Sequence, residues 1–325
     1  MSAIECDTLA LISIVVPLYN KAAYVGDTLR SVLAQTCTDW ELLVVDNGST
    51  DGSAELARGF DDARVQVVTS PRQGPGAARN YGIRMARGDW IQFLDADDWL
   101  APDHIERQLA VATRHPEAAL IAGGWREVRD DRPGQVVVQR PAGYGQGPLA
   151  LQDAAFAFPP WAVHAALVRR EALTEEYLWP EELDRFSNED AVFWFRLVMT
   201  CSTAFSSATG AFYRMQTPTA RNQLDDPAKR LREFDLAAEY NLRWLTERGR
   251  QPTPGQAAAL MRAYSSVYEA AGRINDSSTA QAALARAEQW LARYFAIADE
   301  PAWAMRFRRW LGLSRFLRYR RLWPA

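Results

Sequence analysis

The chain has 325 residues, 48% hydrophobic and 24% charged, with a formal net charge of −3. That balance excludes a disordered or collagen-like polymer and fits one large domain or two medium ones. Cys6, Cys37 and Cys201 have no paired spacing, which excludes a disulfide scaffold and predicts free thiols in a reducing compartment. The opening "MSAIECDTLA" is acidic and lacks the basic start and cleavage site of a secretory signal. The apolar run after it stops at Pro17, too short to cross a bilayer. The expected location is cytoplasmic.

Strand and helix patterns alternate over the first 125 residues. "LISIVVPLYN" is a β-branched strand closed near Pro17, and "AAYVGDTLRSVLAQ" has Val25, Leu29, Val32 and Leu33 on one helical face. "WELLVVD" is a second strand. "STDGSAELARGF" is a capped helix and "RVQVVTS" a third strand. "GPGAARNYGIRMARG" is a helix with Pro75 in its first turn and Gly88 past its end. "DWIQFLDADD" is a fourth strand, "PDHIERQLAVATRHP" a helix and "AALIAGGW" a fifth strand. Such alternation predicts a mostly parallel α/β sheet covered by helices, with ligands at the carboxyl ends of its strands. Asn20, Asp46, Asp95 and Asp97 all fall at those ends.

From about 126 to 220 the pattern loosens into loops and short strands, with a helix at "NEDAVFWFRLVMT" and a last strand at "GAFYRMQ". Three helical segments follow, separated near "GRQPTPGQ" and "RINDSST". The expected division is a region of 1–222 and a helical region of 223–325.

Asp95, Asp97 and Asp98 crowd the end of the fourth strand. Like charges this close repel unless a cation joins them. Continued as a strand, "DAD" would point Asp95 and Asp97 to one side. Oxygen-only donors in an open site suit Mg²⁺ or Mn²⁺ with phosphate oxygens as further ligands. The competing reading is that Asp97 and Asp98 cap the helix near Pro102.

The stretches "VVPLYNKAAYVGDTLRSVLAQTCTDWELLVVDNGSTDGS" and "RQGPGAARNYGIRMARGDWIQFLDADDWL" resemble the family 2 glycosyltransferases in order and spacing over most of residues 11–100. The resemblance weakens from 101 to 215 and stops there. It implies a GT-A fold, a Rossmann-like sheet flanked by helices, and inverting transfer of a sugar from a nucleoside diphosphate sugar donor. On that resemblance Pro17, Tyr19 and Asn20 border the nucleotide base. Asp46 and Asn47 face base and ribose, Arg79 offers a guanidinium to the diphosphate, Asp95 meets the ribose, and Asp97 holds Mn²⁺ or Mg²⁺. Many relatives have a second acid where this chain has Asn47, which leaves the base open. The "ED" pair of the family is Glu189 and Asp190, with Asp190 as general base and Glu189 orienting. The alternative is that both acids only complement a helix N-terminus. A family histidine that can ligate metal is replaced by Gln216, and Arg214 or Arg221 could contact phosphate instead.

Trp161 and His164 are the candidates for the acceptor side, where a saccharide or lipid-linked saccharide would bind, although a packed core histidine is the commoner case. His104 and His115 read as surface residues. "GPGAAR" begins like a dinucleotide fingerprint but ends in arginine and follows the third strand, which argues against a nicotinamide site. After Glu300 come seven arginines and no acid, interleaved with Trp303, Phe307, Trp310, Phe316, Tyr319 and Trp323. Residues 301–325 could therefore lie on an anionic membrane surface, making the chain peripheral to the cell membrane, or pack on the body with Gly312 and Ser314 as a break. The acidic remainder speaks against nucleic acid. Two rival functions are a nucleotidyltransferase, whose glycine- and lysine-rich loop is missing after the first strand, and a non-catalytic nucleotide-sugar-binding or assembly protein of the same fold. The expected product class is a cell-surface polysaccharide or glycolipid.

Overall fold

The β-branched run Ile12–Leu18 forms β1, buried along its length except at Pro17. A strand buried on both faces belongs in the middle of a parallel sheet, and β1 pairs in parallel with β2 (Trp40–Asp46) on one side and β4 (Trp90–Phe93) on the other. Between them run α1 (Val25–Leu33), α2 (Ser53–Arg58), β3 (Val65–Thr69) and α3 (Pro75–Met85). The computed structural model describes residues 10–129, 135–140, 148–207, 210–215 and 226–322. The described residues fall into two compact units. The first draws on Met1–Tyr144, Trp161–Phe193 and Leu197–Arg221, the second on Gly145–Pro160, Trp194–Arg196 and Asn222–Ala325.

The chain continues through β5 (Trp99–Leu100), α4 (His104–Arg114), β6 (Leu120–Ala122), β7 (Trp125–Arg129), β8 (Val136–Arg140) and α5 (Pro148–Ala155). Then come β9 (Ala166–Arg169), α6 (Glu189–Thr200), β10 (Thr203–Phe205) and β11 (Ala211–Met215). The larger sheet of the first unit has seven strands in the order β10-β6-β9-β4-β1-β2-β3, with β9 antiparallel to both neighbours. A second sheet of four strands runs β5-β11-β7-β8. "AALIAGGW", expected as one strand, is divided between the two sheets: β6 stops at Ala122 and β7 starts at Trp125. Gly123 and Gly124 make the break, since glycine weakens a strand.

Register places the strand ends together. Leu18 lies beside Asp46, and Val15 beside Phe93. Helix α3 packs close on β1 because Gly82 has no side chain; a Cβ there would collide with Val15. At the far end of the sheet, buried Glu41 of β2 accepts from Ser13 Oγ at 2.6 Å, from the Arg87 amide at 2.7 Å and from Arg87 Nε at 2.9 Å. Burial pushes the Glu41 carboxyl up, but these donors together hold it below its ordinary value.

The second unit is helical. α7 (Pro227–Glu247), α8 (Pro254–Arg273) and α9 (Ser277–Ile297) each begin with a side-chain cap: Asp226, Thr253 and Asp276. Thr253 and Gln256 form a reciprocal capping box. Tyr264 Oη donates to Asp235 at 2.8 Å and Arg286 Nε to the same carboxylate at 3.0 Å. α10 (Trp303–Leu311) and α11 (Leu313–Leu322) follow, separated by Gly312 at φ +80°. Among the described residues no helix is long and apolar enough to cross a membrane.

Candidate active site

The carboxyl ends of β1, β2 and β4 deliver the polar residues. At the end of β1, Pro17 is half-buried, Tyr19 exposes its ring, and Asn20 takes φ +51°, a left-handed conformation that asparagine tolerates better than most residues. Asn20 Oδ1 accepts from the Thr50 amide at 2.8 Å, and Ser49 Oγ accepts from the Asn20 amide at 3.1 Å. This ties the end of β1 to the loop after β2. Asp46, nearly buried, accepts from the Ser49 amide at 3.1 Å.

Asn47 uses both ends of its amide within the chain. Its amide nitrogen donates to the Arg72 carbonyl at 2.8 Å, and its oxygen accepts from the Gly74 amide at 2.6 Å. An amide can do both; a carboxylate would turn an oxygen against the Arg72 carbonyl. The second acid common in the family is thus replaced here by a residue that holds the loop leading into α3. That loop sits tight because Gly74 has φ +124° and a Cβ there would collide with Asp184. The Asp184 carboxylate accepts from the amides of Gly76 at 2.7 Å and Ala77 at 3.1 Å. These amides at the start of α3 are therefore occupied by the chain's own carboxylate.

The aspartate triplet is not an extended strand. β4 ends at Phe93, and Asp95–Asp98 form a turn closed by the Asp98 amide donating to the Asp95 carbonyl at 3.0 Å. The period-of-two argument is replaced by this turn, which gives each carboxylate its own partner. Asp95 accepts from Arg79 Nη2 at 2.6 Å. Asp97 accepts from Lys21 Nζ at 2.5 Å. Asp98 points inward, fully buried, and accepts from the Arg214 amide at 2.7 Å, while its other oxygen lies 3.2 Å from His164 Nδ1. Burial, with Asp97 and Asp95 nearby, raises the Asp98 carboxyl well above the usual range. Burial likewise depresses His164 to about 4. Both shifts run toward the neutral forms, which lessens the cost of burying the two groups side by side. Neither Asp97 nor Asp98 caps α4, whose N-cap residue is Asp103.

Arg79 lies on α3 and is only 2% exposed. Besides Asp95 it reaches Glu189 Oε1 at 3.4 Å, and its guanidinium lies 4.2 Å from the centre of the Trp179 ring. Burial pulls its pKa down, but Asp95 and Glu189 outweigh that, so it stays charged. The guanidinium is held by the chain's own carboxylates. It links the turn after β4 to the first turn of α6. Glu189 is buried there and Asp190 is half-exposed.

Arg214, on β11, lies beside the turn. Its Nε donates to the Asp97 carbonyl at 2.9 Å, and its guanidinium lies near the rings of Tyr24 and Trp99, at 4.9 and 4.8 Å. Gln216 and Arg221 lie outside the described residues. Trp161 and His164 are both buried, and the His164 ring stacks near Tyr213. Neither side chain presents itself at a surface. His104, expected outside, is also buried, held neutral by burial at about 3, with Gln108 at 3.0 Å. His115 is exposed.

Lys21 is a site residue that the sequence reasoning misses. The signal available was its position directly after Asn20 at a strand end. Whether a divalent ion fits is testable on this arrangement. Asp95 and Asp97 are hard oxygen donors at a partly open mouth, and Asp97 already attracts a cation in Lys21. No cluster of three or more His, Cys, Asp or Glu able to hold a metal occurs among the described residues. An ion would be held chiefly by Asp97, with phosphate oxygens and water completing its shell, as Mg²⁺ commonly allows.

Residues 13–175 match glycosyl transferase family 2. The uncharacterized glycosyltransferase EpsJ of Bacillus subtilis is 32% identical over 190 residues, 57% of this chain and 55% of that one. The chain spans about half or less of the length of the curated relatives it matches. The structure of S. aureus TarS 1-349 in complex with UDP-GlcNAc superposes with a TM-score of 0.56 at 18% identity, over 84% of this chain and 90% of that one. The mannosyltransferase PcManGT of Pyrobaculum calidifontis, in complex with GDP-Man and Mn²⁺, gives 0.56 at 19% identity over 97% and 87%. At these identities the structures show a shared GT-A fold. With half of its length matched by the family, carrying both the strand-end carboxylates and the start of the acidic turn's supporting helix α3, the chain belongs to glycosyl transferase family 2.

Proposed function

We propose that the chain is a metal-dependent, inverting glycosyltransferase that moves a sugar from a nucleoside diphosphate sugar to a saccharide or lipid-linked saccharide. Residues 1–222 form its catalytic region and 223–325 a helical C-terminal region. The observation that carries the reading is the Asp95–Arg79–Glu189 bridge, which joins the donor-side turn to the acidic first turn of α6. The UDP-GlcNAc and GDP-Man of the two structural neighbours and the Mn²⁺ of one support a nucleotide-sugar donor and a divalent ion. Polysaccharide or glycolipid synthesis, at the inner face of the cell membrane, is the setting that the family resemblance favours.

Pro17, Tyr19, Asn20 and Asp46 border the nucleotide, and Asp95 accepts from its ribose. Asp97 holds Mn²⁺ or Mg²⁺; when bound, the ion supplies positive charge to the departing diphosphate. Lys21 and Arg214, beside Asp97, add positive charge from the chain itself. Glu189, fixed by Arg79, orients the turn. Asp190 accepts the proton of the acceptor hydroxyl as its oxygen bonds to the anomeric carbon and the diphosphate leaves with the bonding pair from the opposite face.

Thermal stabilisation by a panel of nucleoside diphosphates, with and without Mn²⁺, tests the donor site, because a ligand specific to the folded state raises the melting point. Asp190→Asn should keep that stabilisation and lose turnover by about 10²–10⁴-fold. Unchanged turnover would reject Asp190 as the base, whereas nucleotide stabilisation with no turnover in the parent itself would favour the binding-protein alternative. If no nucleotide shifts the melting curve, the donor site is wrong.

A further inference from the structure

We infer that α10, with the arginine-rich segment after it, is a docking surface for an anionic lipid leaflet. Trp303 and Trp310 are each 79% exposed and Phe307 is 43% exposed. Spacings of four and three put these rings on one face of the helix. The face opposite is already used: Met305 is buried, as are Leu313 and Leu317 of α11. The helix is thus anchored by one side and presents two tryptophans and a phenylalanine to solvent on the other. Rings on a fold's surface in such a row mark a site of contact.

Charge says what the contact is with. Beyond Glu300 there are seven arginines and no acidic residue. Arg306 and Arg309 are exposed beside the aromatic face. The guanidinium of Arg309 lies 4.6 Å from the centre of the Phe295 ring, and that of Arg308 4.9 Å from Phe316. These two guanidinium groups lie over rings of the same region and leave a positive charge at its surface. Two such segments repel each other, so a second copy is a poor occupant. A row of indole rings flanked by arginines suits the boundary between headgroups and acyl chains, where tryptophan concentrates and arginine meets phosphate. A nucleic acid would supply the phosphates but not the apolar layer that three adjacent rings require. The one-sided row of rings on a nine-residue helix suits α10 lying in the plane of the leaflet. Such docking would keep the chain near a lipid-linked acceptor, a use that rests on the proposed function, whereas the docking itself does not.

The test is sedimentation of the full chain with vesicles of phosphatidylcholine alone or with 30% phosphatidylglycerol, alongside nucleotide-induced thermal stabilisation. The parent should bind the anionic vesicles at least tenfold more tightly than the neutral ones, with a blue shift in tryptophan emission. Trp303→Ser/Trp310→Ser should reduce that binding at least tenfold, and Arg306→Gln/Arg309→Gln should weaken it and flatten its salt dependence. All four side chains are exposed and of the two arginines only Arg309 lies over a ring, that of Phe295, so the fold should persist and any nucleotide response should be unchanged. Equal binding to both vesicle types, binding indifferent to both double variants, or tighter binding to an RNA or DNA duplex than to anionic vesicles overturns the inference. So does a dimer in sedimentation velocity that the tryptophan variant abolishes. Failure of vesicle binding with nucleotide stabilisation intact sinks the docking alone; the reverse sinks the donor site alone.

Discussion

Arg79→Met is the most informative single change. Arg79 bridges Asp95 at 2.6 Å and Glu189 at 3.4 Å from a position with 2% exposure. Removing the cation leaves two carboxylates facing each other with no shared counter-charge, and Glu189 is itself buried. Losing one partner of a buried ion pair costs about 3–5 kcal/mol, chiefly because the remaining charge stays desolvated. In a unit of this size each kcal/mol moves the melting point by about 2–4 °C, so a drop of about 10 °C is expected. Arg79→Lys keeps the charge but lacks the planar fork that reaches both acids, so it should recover only part of the loss. Burial lowers the Arg79 pKa, but Asp95 and Glu189 raise it further, so the arginine itself does not titrate over the accessible range. Thermal and urea unfolding at pH 8 measure the loss. A methionine variant within about 1 kcal/mol of the parent would refute the bridge.

Three other changes probe separate parts of the fold and site. Lys21→Met frees Asp97 from its ammonium, so the nucleotide-free chain should bind Mn²⁺ roughly tenfold more tightly, as seen by electron paramagnetic resonance; unchanged or weaker binding contradicts the competition. Asn47→Asp should destabilise by about 1–3 kcal/mol in urea unfolding, since the Arg72 carbonyl keeps Ser70 Oγ but loses the Asn47 donor and faces a carboxylate oxygen instead, and equal stability would show that the loop is held by something else. Glu41→Gln tests linkage. Glu41 has a folded pKa below its ordinary 4.5, so its charged form stabilises above that value and the contribution fades as pH falls through the folded pKa. The parent should exceed the variant by about 1–3 kcal/mol at pH 7 and by progressively less below pH 4.5; a gap independent of pH would count against the Ser13–Arg87 clasp.

Much of this was written locally in the chain. The apolar run of β1, the helical periods of α1 and α4 and the breaks around α8 depend on neighbours within a few residues, so periodicity and turn chemistry reveal them. The polar residues at the strand ends were legible for the same reason: a parallel sheet assigns ligands to that edge whatever the details. The segments of the motif likewise carried the family without any coordinate.

Tertiary structure decided which charge meets which. Lys21 and Asp97 are 76 positions apart, Arg79 and Glu189 110, and Asp184 reaches back 108 positions to the start of α3. A single sequence states that a charge exists; only the packing of distant segments chooses its partner. Packing also buried His104 and His164, which no local pattern marks, and ended β4 before the aspartates, turning a supposed row of carboxylates into a turn with separate tasks. The physical reason is the range of the forces: hydrophobic periodicity and backbone preference act between near neighbours, whereas burial and charge pairing depend on what the folded chain brings within a few ångströms.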